Sequence, residues 1–240
     1  MIHLEQIRLR IDEYPTKDHY PFNVEVLRQT RQLTFTRPVT FFVGENGSGK
    51  STLLEALAHK CQIYIWKGVE RTRCTRNPYE ESLFLYLDAE WSDSVVPGSF
   101  FSSQIFRNFA QILDEWEADN PGQLDYFGGR SLLTQSHGQS LMSFFRTRYR
   151  IKGLYLLDEP ETALSPRTQL ELLRLLGETG SEGRAQFIIA THSPILLACP
   201  NSVIYSFDHV PVKPIGYEDT DHYRLYKSFM ENRGKYLRGD

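Results

Sequence analysis

The chain has 240 residues, 40% of them hydrophobic and 24% charged, with a formal net charge of −3. That balance excludes a disordered chain, a membrane-spanning bundle and a protein that coats nucleic acid by bulk charge. The length suits one α/β domain over residues 1–240, and the scattered Cys61, Cys74 and Cys199 give neither a disulfide framework nor a zinc knuckle.

In chain order, HLEQIRLRI at 3–11 alternates apolar and polar residues and predicts a half-buried strand. Charges at Glu5, Arg8, Arg10, Asp12 and Glu13 leave no apolar signal region. The most apolar stretch, 187–200, is broken by His192, Pro194 and Pro200, so a cytoplasmic protein with no integral membrane segment is expected. QLTFTRP at 32–38 alternates again before VTFFVG at 39–44 turns continuously apolar. That switch predicts an antiparallel outer sheet feeding a strand covered on both faces. KSTLLEALAHK at 50–60 carries Leu53, Leu54, Leu57 and Ala58 at helical spacing. A polar stretch with Lys67, Arg71, Arg73 and Arg76 leads to SLFLYLDA at 82–89, a predicted strand. A helix over 104–120 is expected to bury Ile105, Phe109, Ile112, Leu113 and Trp116, and to stop at Asn120, Pro121 and Gly122. LMSFFRTRYR predicts another helix, with Arg146, Arg148, Arg150 and Lys152 decorating its end. LYLLDE at 154–159, FIIATH at 187–192 and VIYSFD at 203–208 read as buried strands. Between the first two, Ser165 and Pro166 start a Leu-rich helix ending near Gly177. Strands alternating with helices imply a mainly parallel, layered α/β sheet.

Three segments carry chemistry. Gly44, Glu45, Asn46, Gly47, Ser48, Gly49, Lys50, Ser51 and Thr52 fill the pattern GxxxxGK[ST] between a strand and a helix. Such a loop turns successive N–H groups toward phosphate oxygens at the positive end of the helix. Lys50 is expected to reach the β- and γ-phosphates of ATP, and Ser51 to hold Mg²⁺. Asp158 and Glu159 end a buried strand at the sheet edge where ligands bind. There Asp158 would orient the Mg²⁺ shell and Glu159 would polarise the attacking water. His192, at the end of the next strand, is placed to touch the γ-phosphate.

The order of this loop, SHGQS at 136–140, LYLLDEPETALS at 154–165 and ATHSP at 190–194 resembles ABC-type ATPases. The resemblance implies a P-loop NTPase fold: a mainly parallel sheet, an N-terminal antiparallel β-subdomain and a short helical subdomain at approximately 90–150. It also implies that Ser136 and Gly138 stand in the signature and cap the γ-phosphate held by a second subunit. TALS at 162–165 would be the D-loop, and Gln104 would link Mg²⁺ to the helical subdomain. His137 replaces a signature glycine, and Ser165 stands where many D-loops carry aspartate. FFVGENGSGKSTLLEALA, TQSHGQS, LLDEPETALSP, QFIIATHSPILLA and YEDTDHYRLYKSFMEN look like a family of small stand-alone bacterial AAA/ABC-type ATPases. In the tail, Asp219, Asp221 and His222 read as a solvated loop before a final helix rather than a metal cluster. Tyr20 and Phe22 stay open between an adenine platform and core aromatics.

The expected function is Mg²⁺-dependent hydrolysis of ATP to ADP and phosphate by an ATP-induced head-to-tail homodimer. The dimer would control an effector protein in regulation, a DNA-related process or defence. The alternatives are the ATP-binding subunit of a transporter, and an ATP-switched DNA- or protein-binding module with little turnover. Nucleic-acid contact has no support from net charge. From the spacing between Lys50 and Ser136 no long coiled-coil arms of the SMC type are expected, and from the length no fused membrane or nuclease domain is expected.

Overall fold

A computed structural model describes residues 1–66, 77–127, 129–133 and 137–237; the basic stretch with Lys67, Arg71, Arg73 and Arg76 lies outside the described residues. In chain order the elements are β1 (Leu4–Leu9), α1 (Glu25–Gln29), β2 (Gln32–Thr34), β3 (Val39–Val43), α2 (Lys50–Lys60), β4 (Leu87–Trp91), β5 (Gly98–Ser102) and α3 (Ser103–Asp119). They continue as α4 (His137–Arg148), β6 (Gly153–Asp158), α5 (Pro166–Ser181), β7 (Ala185–Ala190), α6 (Pro194–Leu197), β8 (Ser202–Ser206), β9 (Lys213–Ile215), α7 (Asp221–Glu231) and α8 (Arg233–Leu237).

The continuously apolar runs became interior strands because both their faces are covered. The main sheet runs β5-β6-β7-β3-β8-β9, parallel throughout except for β9. Every residue of β3 and β7 is buried. Phe42, Leu156 and Ile188 point into one core with Leu53, Leu54 and Leu57 of α2. Phe41, Leu157 and Ile189 point into the other, with Phe109 of α3, Phe145 of α4 and Leu172 of α5. This period-two division is what a strand between two helical layers requires.

A second sheet, β2-β1-β4, is antiparallel and adds Leu4, Ile7, Leu33 and Leu87 to the α2-side core. Buried Gln186 of β7 ties it to the main sheet. Its Oε1 accepts the N–H groups of His3 and Leu4 at 2.8 Å each, and its Nε2 donates to the Leu4 carbonyl at 2.8 Å. Both lone pairs of Oε1 and one N–H of the amide are thus bonded, which offsets most of the polar cost of its burial.

Several boundaries differ from the sequence expectation. Residues 83–86 form a 3₁₀ turn and the strand begins only at Leu87. The buried side of α3 is Phe106, Phe109, Ala110 and Leu113, while Trp116 is 44% exposed and stacks edge-on with Trp66 at 5.2 Å. Helix α5 runs past Gly177 to Ser181, and the Thr179 and Ser181 hydroxyls donate to the Leu175 and Gly177 carbonyls one turn back. The expected Ser165 cap is present, accepting the Thr168 N–H at 3.3 Å. Strands β5 and β9 have no counterpart in the sequence reading. β5 needs Gly98, since a Cβ there would lie 2.5 Å from the Leu154 carbonyl oxygen.

Candidate nucleotide-binding site

The C-terminal ends of β3, β6 and β7 open on one edge of the sheet, and the expected residues gather there. Gly49, with φ of +98°, caps α2 without a side chain, and a Cβ on it would press on Val24 at 3.1 Å. The first-turn amides of α2 therefore stay open at the positive end of the helix, which suits an anion. Lys50 is 4% exposed, and its ammonium donates to the carbonyls of Gly44 at 2.7 Å and Glu45 at 2.9 Å. Burial pulls its pKa down, against the opposing charges of Glu159, Asp208, Asp158 and Glu45. Asp208, just beyond β8, accepts the Glu45 N–H at 2.7 Å and pins the mouth of the loop.

Ser51 donates its hydroxyl to Asp158 Oδ1 at 2.9 Å. Burial pushes the Asp158 carboxyl up to about 6; the Ser51 hydrogen bond opposes this, and the nearby charges of Glu159 and Glu55 add to it. A carboxylate in that condition gains from a cation. Among the described residues no group of three or more His, Cys, Asp or Glu side chains could hold a metal alone. One carboxylate and one hydroxyl are instead the sparse set that Mg²⁺ uses beside phosphates and water, so the residues present fit that ion.

Glu159 takes a left-handed backbone, φ 45° and ψ 54°, at the turn after β6. Its N–H donates to the Ala190 carbonyl at 2.9 Å, and its own carbonyl accepts the hydroxyls of Ser103 at 2.8 Å and Thr162 at 3.0 Å. These three bonds hold a conformation that a non-glycine residue seldom adopts. The carboxylate stands 3.5 Å from His192 Nε2. Glu161 accepts the His192 N–H at 2.6 Å, and burial raises the Glu161 pKa. His192 Nδ1 lies 3.0 Å from His222 Nε2, and burial lowers the pKa of both rings.

Lys50, Ser51, Asp158, Glu159 and His192 are thus brought together by tertiary structure. Glu45, Asn46 and Gly47 are exposed on the loop, and Thr52 Oγ1 lies 2.9 Å from the Tyr20 hydroxyl. Phe22 is no platform: it is fully buried among Tyr14, Tyr79 and Tyr86. Gln104 sits in the first turn of α3, beside Ser103, with its side chain outside the described residues. Ser136 lies outside the described residues as well. Gly138 is in the first turn of α4, which packs on α5; its neighbours are Thr168 and the Ala163 carbonyl. It lines a groove with Ser165, Arg146 and Glu171 that includes none of the P-loop residues.

Sequence reasoning missed four contributors: Ser103, Glu161, Asp208 and His222. His222 belongs to α7 and is half-buried against His192, rather than solvated, because the fold returns the tail to the site. Asp219 pairs with Arg224 at 2.6 Å. The local signal available was Thr220, which caps the N-terminus of α7 and so places its first turn.

The α/β fold is that of P-loop ATPase domains of the ABC type. A family model described as "AAA domain" matches residues 22–59, and one described as "AAA domain, putative AbiEii toxin, Type IV TA system" matches residues 141–198. The chain is 28% identical to the thiamine import ATP-binding protein ThiQ of Jannaschia sp. (strain CCS1), over 80% of this chain and 82% of that protein. It is 26% identical to a phosphonates import ATP-binding protein of Synechococcus sp. (strain JA-2-3B'a(2-13)), over 77% of this chain and 76% of that one. Two solved structures share the fold at 17% identity. One is cbiO1 from Clostridium perfringens, part of the ABC transporter complex cbiONQ, with a TM-score of 0.53 and 99% of each chain covered. The other is the SMC head domain from Thermotoga maritima, with a TM-score of 0.50, covering 90% of this chain and 100% of that one. Together these likenesses support the ABC-type ATPase superfamily for this chain. Among the described residues no helix is long and apolar enough to cross a membrane.

Proposed function

We propose that residues 1–240 act as one ABC-type domain that binds ATP with Mg²⁺ and hydrolyses it to ADP and phosphate in a site completed by a second copy. The observation that carries this reading is the Ser51–Asp158 contact of 2.9 Å, formed beside the folded-back Lys50 and the Glu159–His192 pair. Gly44 through Thr52 cradle the phosphates, with Lys50 leaving its loop carbonyls for the β- and γ-oxygens. Ser51, Asp158 and Gln104 would hold Mg²⁺, which when bound neutralises charge on those oxygens. Glu159 accepts a proton from the water that bonds to the γ-phosphorus as the bond to the leaving ADP oxygen breaks. His192 donates to the γ-phosphate. The loose transition state asks mainly for positioning and charge stabilisation, which a constrained Glu159 turn supports.

The partner copy would bring its own Ser136 and Gly138 over the γ-phosphate, making closure ATP-dependent. Such a dimer would act on an effector protein. A second reading, the ATP-binding subunit of an importer, is favoured by the names of the relatives; stable co-purification with a membrane protein is its test. For the principal reading the test is Glu159→Gln, expected to bind ATP, barely hydrolyse it and accumulate as a dimer. Hydrolysis at the wild-type rate would refute the assignment.

A further inference from the structure

The tail is anchored so that His222 faces the site. Thr220 is fully buried; its hydroxyl accepts the Tyr223 N–H at 3.2 Å and donates to the Tyr217 carbonyl at 2.8 Å. Tyr217 in turn donates its hydroxyl to the Pro194 carbonyl at 3.0 Å, tying the tail to the turn after His192. The two imidazoles meet at 3.0 Å between His192 Nδ1 and His222 Nε2, with ring centroids 5.0 Å apart.

Only one proton fits between those nitrogens, and the other two nitrogens decide which ring supplies it. His192 Nε2 is buried and faces the Glu159 carboxylate at 3.5 Å, a group that only accepts. His222 Nδ1 is buried with no hydrogen-bond partner among the described residues. If His192 Nδ1 donated, its Nε2 lone pair would face an acceptor, and His222 would carry a buried, unpaired N–H. Both are costly, the orphaned donor especially. If His222 Nε2 donates, His192 keeps its proton on Nε2, where the Glu159 carboxylate 3.5 Å away attracts it without closing a hydrogen bond, and His222 is left with a bare lone pair rather than a buried N–H.

We propose that His222 is a positioning residue: by donating to His192 Nδ1 it holds His192 as an Nε2–H donor aimed at the Glu159 side of the phosphate site. The use of that donor rests on the ATPase reading, whereas the tautomer does not. A carboxylate or carbonyl partner at Nδ1 would require a proton there and leave Nε2 an acceptor in the neutral ring. A second histidine can do the opposite, because its own ring can be the donor.

The test is long-range ¹H–¹⁵N correlation of the imidazoles in the ¹⁵N-labelled full chain without nucleotide, with His192 assigned by its loss in His192→Gln. The expected His192 pattern is Nε2–H; an Nδ1–H pattern overturns the proposal. In His222→Leu the pattern should become a mixture, and kcat should fall by about tenfold with ATP affinity unchanged, against roughly a hundredfold when the donor itself is removed. His222→Gln, whose amide can donate to Nδ1, should recover much of kcat. An unchanged His192 pattern in His222→Leu overturns the proposal, and the wild-type and His222→Gln spectra decide if the leucine variant fails to fold. Wild-type protein with the Nε2–H pattern but no hydrolysis would contradict the ATPase reading while supporting the His222–His192 bond.

Discussion

The P-loop cleft and the α4–α5 groove are built on opposite principles. In the cleft the reactive groups hold one another: Lys50 rests on its loop carbonyls, Asp158 on Ser51, and His192 on His222. Among the described residues the groove around Gly138, Ala163, Ser165 and Thr168 shows instead the Ser165–Thr168 hydroxyl contact at 2.9 Å and the exposed Arg146–Glu171 pair at 2.9 Å. On the function proposed above, the cleft would bind the triphosphate and aim a water, and the groove carrying Gly138 would close over the γ-phosphate of a second copy. In the proposed dimer each copy's groove serves the other's cleft, so the two regions can be broken separately.

Breaking the cleft should have the largest effect. Glu159→Gln is expected to lower turnover by about 10²–10⁴-fold with ATP binding intact, read by phosphate release and calorimetry. Breaking the groove should slow turnover without touching binding. For Gly138→Asp, a Cβ meets Thr168 at an ordinary 3.7 Å, so the fold is expected to survive. The added carboxylate should repel the partner's γ-phosphate and cost about a hundredfold in rate; an unchanged rate would remove the groove from the mechanism. Lys50→Ala should weaken ATP binding by about tenfold or more, and undiminished affinity by calorimetry would sink the phosphate-loop assignment.

A smaller effect sharpens the contrast through stability. The Asp158 carboxyl titrates at about 6 when folded against an ordinary 3.8, so the native state binds the extra proton between those values. Stability without nucleotide or Mg²⁺ should therefore fall as pH rises through that window, with the full cost standing above it. Asp158→Asn removes the cost and should stabilise the protein at pH 7 by about 1–3 kcal/mol in a denaturant melt while abolishing hydrolysis. A destabilised Asp158→Asn would mean that the carboxylate is already compensated. The smallest change is Tyr20→Phe, which loses the 2.9 Å contact with Thr52 at an exposed position and should cost about 0.5 kcal/mol of nucleotide affinity at most.

Much of the cleft is legible in the sequence because its parts are local. A loop between strand and helix, two acids ending an apolar run and a histidine after another apolar run each sit within a few residues of the element that places them. What escaped reading is non-local or weakly patterned. His222 lies 30 residues from His192, in a polar segment whose own composition says solvent. Ser103 and Glu161 act through single bonds to backbone atoms of Glu159 and His192, which leave no periodic trace. β5 is a short edge strand of GSFFS, and the helical period of α3 includes Trp116 on its apolar face although it is 44% exposed, because periodicity cannot tell a surface aromatic from a core one. The groove needed the fold: Gly138 and Ser165 come from separate segments and meet only through the packing of α4 on α5.

The central claim, that each cleft works only under another copy's groove, is tested most directly by mixing two inactive variants. Lys50→Ala lacks a working cleft but keeps its groove; Gly138→Asp keeps its cleft but spoils its groove. Mixed, they form heterodimers with one intact composite site, so ATP hydrolysis absent from each alone should reappear. A mixture as inactive as its components would contradict the account.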